Sequence, residues 1–172
     1  MKALQGKNLS LRAMEPADID IMYDWENDPG IWKYSNTHTP FSRFYLEQYV
    51  MNSHCDIYTD KQLRLMINDA EKNTVGCIDL FEFDPKNRRA GIGILIAKEY
   101  RKNGYASEAL DIIIDYVKKT INLHQLYCNI TSDNKTSLKL FKKKGFTEVG
   151  LKKQWIWNEN IWLDEYLLQL IF

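Results

Sequence analysis

Cysteine and histidine are scarce in this sequence, and the few that occur are scattered. Cys55, Cys77 and Cys128 form no C-x-x-C pair, and their number is odd. This pattern favours a reducing compartment over a disulfide framework. His54 and Cys55 are neighbours, but no further ligands follow at the spacing of a zinc site. We therefore expect a fold without a metal centre and without disulfide bonds.

An excess of charge of either sign is also lacking, as are long apolar runs. Lys and Arg together number 23, as do Asp and Glu, so the formal net charge at pH 7 is zero. Nothing global therefore indicates nucleic acid or a membrane surface as a partner, and any anion site must be local. No apolar segment is long enough for a signal peptide or a membrane span. We expect a cytoplasmic protein that binds neither nucleic acid nor a membrane.

What the sequence does contain is a regular succession of strand-like and helix-like segments. Its 172 residues, 45% of them hydrophobic, suit one domain covering residues 1–172, and no linker or repeat divides them. The predicted strands are 9–14, 63–68, 74–83, 88–97 and 125–130, followed by a closing hairpin that turns at 158–160. The predicted helices run from 15–16 to a stop at 28–30, cover 40–53, begin near 104, and cover 134–144. This mixed order predicts an α/β or α+β layer fold.

The segment Glu99–Leu110, EYRKNGYASEAL, is a candidate anion site because it follows a predicted strand and opens a predicted helix. The first amide groups of a helix have no internal partners and carry partial positive charge, so a phosphate can accept several of them. Gly104 would let the backbone approach a ligand closely, and Arg101 and Lys102 add positive charge. On spacing alone, a solvated helix start is the favoured interpretation of the segment, because such short motifs recur by chance.

Two segments together resemble a known family. Glu99–Leu110 resembles motif A of the GNAT acetyltransferases, Gln/Arg-x-x-Gly-x-Gly/Ala, and Asn129–Phe146, NITSDNKTSLKLFKKKGF, resembles their motif B. The motifs occur in the right order, and the resemblance extends from about Leu9 to the C-terminus. It implies a mixed, mostly antiparallel sheet of about seven strands flanked by about four helices. It also implies acetyl-CoA as co-substrate and transfer of its acetyl group to a primary amine by direct attack on the thioester.

The resemblance also implies which residues hold acetyl-CoA. In the family, loop amides hold the pyrophosphate, the strand before the loop splays from its neighbour and pairs with the pantetheine arm, and motif B contacts the cofactor. The matching positions here are Arg101, Lys102, Asn103, Gly104, Tyr105, Ala106 and Ser107 in the loop, Ile94, Leu95 and Ile96 in the strand, and Asn134, Ser137 and Phe141 in motif B. An amide of that strand can bond the thioester carbonyl and stabilise its developing charge. Asn134 also suits a helix cap, and both roles can coexist.

Amine acetylation requires a free amine. Deprotonating a lysine-like amine of pKa ~10.4 at pH 7 costs about 4.6 kcal/mol, so a base helps. Asp79 and Glu82 lie on the strand beside the cofactor strand, and alternation places them on opposite faces. Relatives that this chain resembles carry an acidic residue at Glu82, which makes it the candidate base; the alternative is an exposed carboxylate at a strand end.

The departing thiolate lacks the usual acid. Many members of the family have a tyrosine where this sequence has Phe141, and phenylalanine donates no proton. A thiol of pKa near 8.5 leaves tolerably as thiolate, so this loss is not fatal. Tyr105 and Tyr127 are candidate substitutes, although tyrosines at such positions more often pack. The same departure leaves open a non-catalytic module of this fold that binds acyl-CoA as a sensor.

The first third of the chain, which forms the acceptor wall in the family, leaves the amine open. It combines acids with aromatics, namely Asp24, Glu26 and Asp28 with Trp25, Trp32 and Tyr34. These could attract a cationic amine or simply form the polar face of a helix. The arrangement resembles both spermidine/spermine N-acetyltransferases and ribosomal-protein N-terminal acetyltransferases. Polyamine enzymes tend to have a glutamate pair before the proline, where this chain has Thr37-His38-Thr39-Pro40. The acceptor is thus a peptide or protein N-terminus, a polyamine or another small amine.

The closing hairpin is rich in tryptophan. Trp155, Trp157 and Trp162 are expected to pack in the core, which is the default place for large aromatic residues. Lining the cleft or forming a contact between subunits, as in a homodimer, are the alternatives.

Overall fold

Seven strands form a single sheet in the computed structural model, which describes residues 2–35, 37–52 and 56–172. His54 and Cys55, named above, lie outside these residues. The strands are β1 (Leu9–Ala13), β2 (Leu63–Asp69), β3 (Thr74–Asp84), β4 (Arg89–Ile96), β5 (Gln125–Thr131), β6 (Thr147–Asn158) and β7 (Ile161–Ile171). Their order across the sheet is β1-β2-β3-β4-β5-β7-β6. The predicted mixed α/β fold with about seven strands is confirmed.

Helices join these strands, and their ends follow local capping chemistry. They are α1 (Ile19–Glu26), α2 (Pro29–Ser35), α3 (Arg43–Asn52), α4 (Ile57–Asp60), α5 (Tyr105–Tyr116) and α6 (Lys135–Lys143). About four helices were predicted; α2 and α4 are short additions. The helix predicted to stop at 28–30 ends at Glu26. Pro29 then starts α2, since proline suits the first position of a helix. Ser42 caps α3 by accepting the Tyr45 amide N–H at 3.1 Å.

The helices cover both faces of the sheet, and each face has its own apolar cluster. Ile78 of β3 packs in the larger cluster with residues of α5 such as Leu110. The preceding Cys77 packs in a second cluster with Met22 of α1 and Leu46 of α3. Successive residues of β3 therefore point to opposite faces here, as expected for a strand. Within the described residues, no helix is long and apolar enough to cross a membrane.

The sheet opens between β4 and β5, its one parallel pair of neighbours. These strands pair only at Arg89↔Gln125, Ala90↔Leu126 and Gly91↔Tyr127. β4 continues to Ile96 and β5 to Thr131, so beyond the vertex at Gly91 and Tyr127 each presents an edge with no strand opposite. We call this gap, between residues 92–96 and 128–131, the slot. From Gly91 to Ile96 it is roughly 17 Å long at the usual strand rise.

Candidate active site

The wide end of the slot is bordered by the loop that precedes α5. Gly104 has φ 82° and Lys102 has φ 69°, both left-handed. The Glu108 amide N–H donates to the Gly104 carbonyl at 3.1 Å as the helix begins, so the amides of the preceding residues come before the helical ladder. A β-carbon at Gly104 would have no atom within 4 Å. This exposed loop therefore has both the amide geometry and the free space that a pyrophosphate requires.

Arg101 fastens this loop to the end of β4. Its Nε donates to the Ile96 carbonyl at 3.0 Å. Asn103 Nδ2 donates to the Tyr100 carbonyl at 3.3 Å within the loop. Arg101 thus joins the predicted phosphate loop to the predicted pantetheine strand, and we call the slot and this loop together the groove.

β4 presents its remaining predicted residues along the slot. Ile94, Leu95 and Ile96 are half-buried and pair on one side with Ile78, Cys77 and Gly76 of β3. Their opposite edge has no strand partner. Apart from the Ile96 carbonyl, which accepts from Arg101, backbone groups on that edge are therefore available to an extended ligand, in the manner of an added strand.

The motif B residues lie on α6 at the other side of the slot. Asn134 caps α6, since its Oδ1 accepts the Ser137 amide N–H at 3.1 Å, as predicted. Phe141 is 3% exposed, and its ring meets the edge of Phe146 with centroids 5.1 Å apart. The Phe141 ring therefore belongs to the core. Contact of these residues with the cofactor stays a prediction.

Glu82 lies at the narrow end, beside the vertex, in an irregular part of β3. The β3–β4 register shifts between Phe81 and Asp84, and Glu82 has φ 49°. The Tyr127 hydroxyl donates a hydrogen bond to Glu82 Oε2, while the Tyr127 ring meets the edge of Phe81. Tyr127 thus contacts two successive residues of β3, which a regular strand would direct to opposite faces. The bulge is the reason that simple alternation fails at Glu82.

Asp79, the other carboxylate considered as a base, is already paired with an arginine. Arg64 of β2 donates to it from Nε at 2.7 Å and from Nη2 at 3.1 Å, and also pairs with Glu26 of α1. Burial alone would lower the pKa of Arg64, but Asp79 and Glu26 raise it well above its ordinary value. Sequence reasoning missed Arg64, although a charged residue inside an apolar strand often marks a buried partner.

The acceptor-side acids have separate roles. Glu26 pairs with Arg64. Asp28 accepts the Gly30 amide N–H at 2.8 Å at the start of α2, and Asp24 is exposed. The Trp32 indole N–H donates to the Glu26 carbonyl at 2.6 Å. Most of these groups therefore stabilise the α1–α2 region rather than forming a cluster of free charges.

The prediction that the hairpin tryptophans pack in the core is wrong. Trp155, Trp157 and Trp162 are between 55% and 58% exposed, and the rings of Trp157 and Trp162 lie 5.1 Å apart at the tip of β6 and β7. Tyr105, considered as an acid, packs partly buried against the larger core cluster.

Comparison with known proteins assigns a family to this architecture. Residues 8–147 match the family described as acetyltransferase (GNAT) domain. The chain is 30% identical over 145 residues to the spermidine N(1)-acetyltransferase of Vibrio cholerae serotype O1, covering 84% of this chain and 82% of that protein. The crystal structure of spermidine N-acetyltransferase from Vibrio cholerae in complex with CoA and spermine has a TM-score of 0.88 at 25% identity, covering 96% of each chain. A dodecameric structure of spermidine N-acetyltransferase from Vibrio cholerae has a TM-score of 0.80 at 25% identity, covering 96% of this chain and 95% of that one.

Proposed function

The chain belongs to the GNAT acetyltransferase family, and from this premise we propose that it acetylates a primary amine of a polyamine. The predicted reaction itself, transfer of acetyl from acetyl-CoA to an amine, is confirmed by the family and by the spermidine N-acetyltransferase relatives. Nothing in these comparisons supports the alternative of a non-catalytic acyl-CoA sensor. The identity of the acetylated amine is what we propose here.

Both cysteines of the described residues are unsuited to carry the acetyl group, which favours direct attack on the thioester. Cys77 and Cys128 are the free cysteines among residues 2–35, 37–52 and 56–172, and both are buried. Burial raises the pKa of Cys128 to about 12 and raises the pKa of Cys77 as well. Neither thiol is available as a thiolate nucleophile at neutral pH.

The roles of the site residues follow from their places along the groove. Loop amides from Arg101 to Ser107 bind the pyrophosphate, and the free edge of Ile94–Ile96 binds the pantetheine arm and the thioester carbonyl. Glu82 takes the proton from the attacking amine, either directly or through a water. The new C–N bond forms as the C–S bond breaks, and coenzyme A leaves as a thiolate without an acid at Phe141.

The observation that carries the polyamine proposal is the 30% identity with a spermidine N(1)-acetyltransferase over 84% of the chain. The electrostatics of the vertex agree with it. Glu82 forms no ion pair within the described part of the chain, and its hydrogen-bond partner Tyr127 is neutral. In contrast, Arg64 compensates Asp79 and Glu26. An uncompensated carboxylate beside the slot favours a cationic acceptor.

The Thr37-His38-Thr39-Pro40 stretch bears on how the acceptor is held rather than on which reaction occurs. It lacks the glutamate pair that polyamine enzymes tend to show at this place. The second ammonium of a polyamine must then be bound elsewhere, and exposed acids such as Asp24 remain for that contact. A peptide N-terminus carries no second ammonium of this kind, so the two acceptor classes can be separated by experiment.

An acceptor panel tests the proposal. Coenzyme A release is followed with spermidine, spermine, an aminoglycoside and a short peptide with a free N-terminus. We expect kcat/KM for spermidine to exceed that for the peptide at least ~10-fold, which corresponds to about 1.4 kcal/mol of differential transition-state binding. Mass spectrometry should find one acetyl group on a primary amine.

Spermidine with every nitrogen methylated to a quaternary ammonium is the matched control, because it keeps the positive charges and has neither an N–H nor a lone pair for attack. It should compete with spermidine and release no coenzyme A. Preference for the peptide, or no turnover with any polyamine, would contradict the polyamine proposal while leaving the family assignment intact.

We further infer that copies of this chain associate through the tip of the β6–β7 hairpin. Trp155, Trp157, Ile161 and Trp162 are each more than half exposed there, and the rings of Trp157 and Trp162 contact each other. Large exposed apolar patches usually mark interaction sites. The dodecameric structure of a similar protein supports a second copy of the chain as the occupant.

A further inference from the structure

Three strands meet at the vertex of the slot in one row of residues. Gly91 of β4 lies opposite Phe81 of β3 on one side and opposite Tyr127 of β5 on the other. Gly91 and Tyr127 are also the last pair before β4 and β5 diverge. The side chains of Phe81 and Tyr127 in this row therefore border the narrow end of the slot.

Gly91 allows the two aromatic side chains to meet across β4. A β-carbon there would lie 2.2 Å from Phe81 Cε2, so the ring occupies the space that a side chain would fill. The Phe81 and Tyr127 ring centroids are 6.2 Å apart with an interplanar angle of 81°. This edge-to-face contact fixes the direction of the Tyr127 ring.

The fixed ring brings the Tyr127 hydroxyl to Glu82. The hydroxyl donates to Oε2, and Oε1 has no hydrogen-bond partner among the described residues. The left-handed backbone of Glu82, at φ 49°, is what turns this carboxylate toward Tyr127. Such a conformation is costly for a residue other than glycine and persists only where its surroundings hold it.

Tyr127 stays protonated in this arrangement. Burial, then the hydrogen bond to Glu82 and the charge of that carboxylate, raise the pKa of Tyr127 well above its ordinary value. A phenol of this kind is a poor acid toward a thiolate but a permanent hydrogen-bond donor across the neutral range. It therefore does not replace the tyrosine that the family has at Phe141.

We propose that Tyr127 is the positioning residue for Glu82: it holds Oε2 and leaves Oε1 directed at the attacking amine. This inference rests on the proposed role of Glu82 as the base. Tyr127 does not take up or release a proton; the proton of the amine passes to Glu82 alone. Positioning of this kind lowers the barrier because the base is already oriented when the amine arrives.

The test is a double-mutant cycle between Tyr127→Phe and Glu82→Gln. Tyr127→Phe keeps the ring and its contact with Phe81 and removes only the hydroxyl. We expect kcat to fall about 10-fold while the KM for acetyl-CoA is unchanged, which is a part of the ~10²–10⁴-fold that a positioned general base contributes. In the Glu82→Gln background the same change should lower kcat no further, because the carboxylate that it orients is gone.

Tyr116→Phe on α5 is the matched control, since it removes a hydroxyl from a partly buried tyrosine outside the groove. It should leave kcat unchanged, and circular dichroism should show that all variants are folded. Wild-type kcat in Tyr127→Phe, or an equal loss in both backgrounds, would overturn the positioning role. Wild-type kcat in Glu82→Gln would instead remove Glu82 as the base, and acetyl transfer to polyamines would still stand.

Discussion

At Gly104 the backbone, rather than the surrounding space, decides which residue is tolerated. Its φ is 82°, yet a β-carbon would meet no atom within 4 Å. Alanine in this left-handed conformation costs about 1–2 kcal/mol, which the loop can relieve by turning its amides away from the ligand. We therefore expect Gly104→Ala to bind coenzyme A at least ~10-fold more weakly by isothermal titration calorimetry, since several amide contacts with the pyrophosphate are lost together.

Gly150→Ala is the control for this glycine. Gly150 lies on β6, its φ is not left-handed, and its nearest neighbour would be Leu167 Cβ at 4.0 Å. Coenzyme A affinity should be that of the wild type. A folded Gly104→Ala variant with unchanged affinity would mean that the pyrophosphate binds elsewhere.

Among the elements, β3 and β4 approach each other closely at Gly91, where a single methyl group should disturb the packing. A β-carbon at Gly91 would lie between 2.2 and 2.6 Å from three atoms of the Phe81 ring. Gly91→Ala must therefore displace this ring, and we expect the free energy of unfolding in urea to fall by about 1–3 kcal/mol, as for other overpacked sites. In a Phe81→Ala background the penalty should disappear, because the ring that obstructs the methyl group is absent.

Gly93→Ala tests whether glycine loss alone explains such a result. Gly93 faces the same ring two residues along β4, but its β-carbon would be 3.7 Å from Phe81 Cε1, an ordinary contact. Its unfolding free energy should be unchanged or slightly increased, because alanine reduces the entropy of the unfolded chain. Equal losses at the two glycines would contradict the role assigned to the Phe81 ring.

The elements that could be predicted from sequence are those whose ends carry local chemistry. Asn134 caps α6 and the β6–β7 hairpin turns at Glu159 and Asn160, as the sequence indicated. The left-handed turn at Gly104 before α5 was also predictable, because it depends on local residue type; the binding of a pyrophosphate there stays a prediction.

The unpredicted parts depend on which strand lies beside which. The bulge at Glu82 has no signal in its own residue type; it arises from the β3–β4 register. The Arg64–Asp79 pair follows from the β2–β3 register, in which these two residues are directly opposite. The Glu82–Tyr127 contact requires β5 to lie beside β4, which only the folded sheet establishes.

At the scale of the whole molecule, we expect the hairpin tip to mediate association between copies of the chain. A surface carrying Trp157 and Trp162, each more than half exposed, is costly in water unless another molecule covers it. We expect the wild type to sediment as an oligomer at micromolar concentration, and Trp157→Ser/Trp162→Ser to shift toward the 20.3 kDa monomer, because the aromatic anchors of the contact are lost. Phe44→Ser is the control: Phe44 is 69% exposed on α3, which packs against α1 in an apolar cluster that includes no described residue of the hairpin, so its loss should leave the oligomer intact. A monomeric wild type, or an oligomer that Phe44→Ser dissociates and the tryptophan variant does not, would place the contact between copies away from β6 and β7.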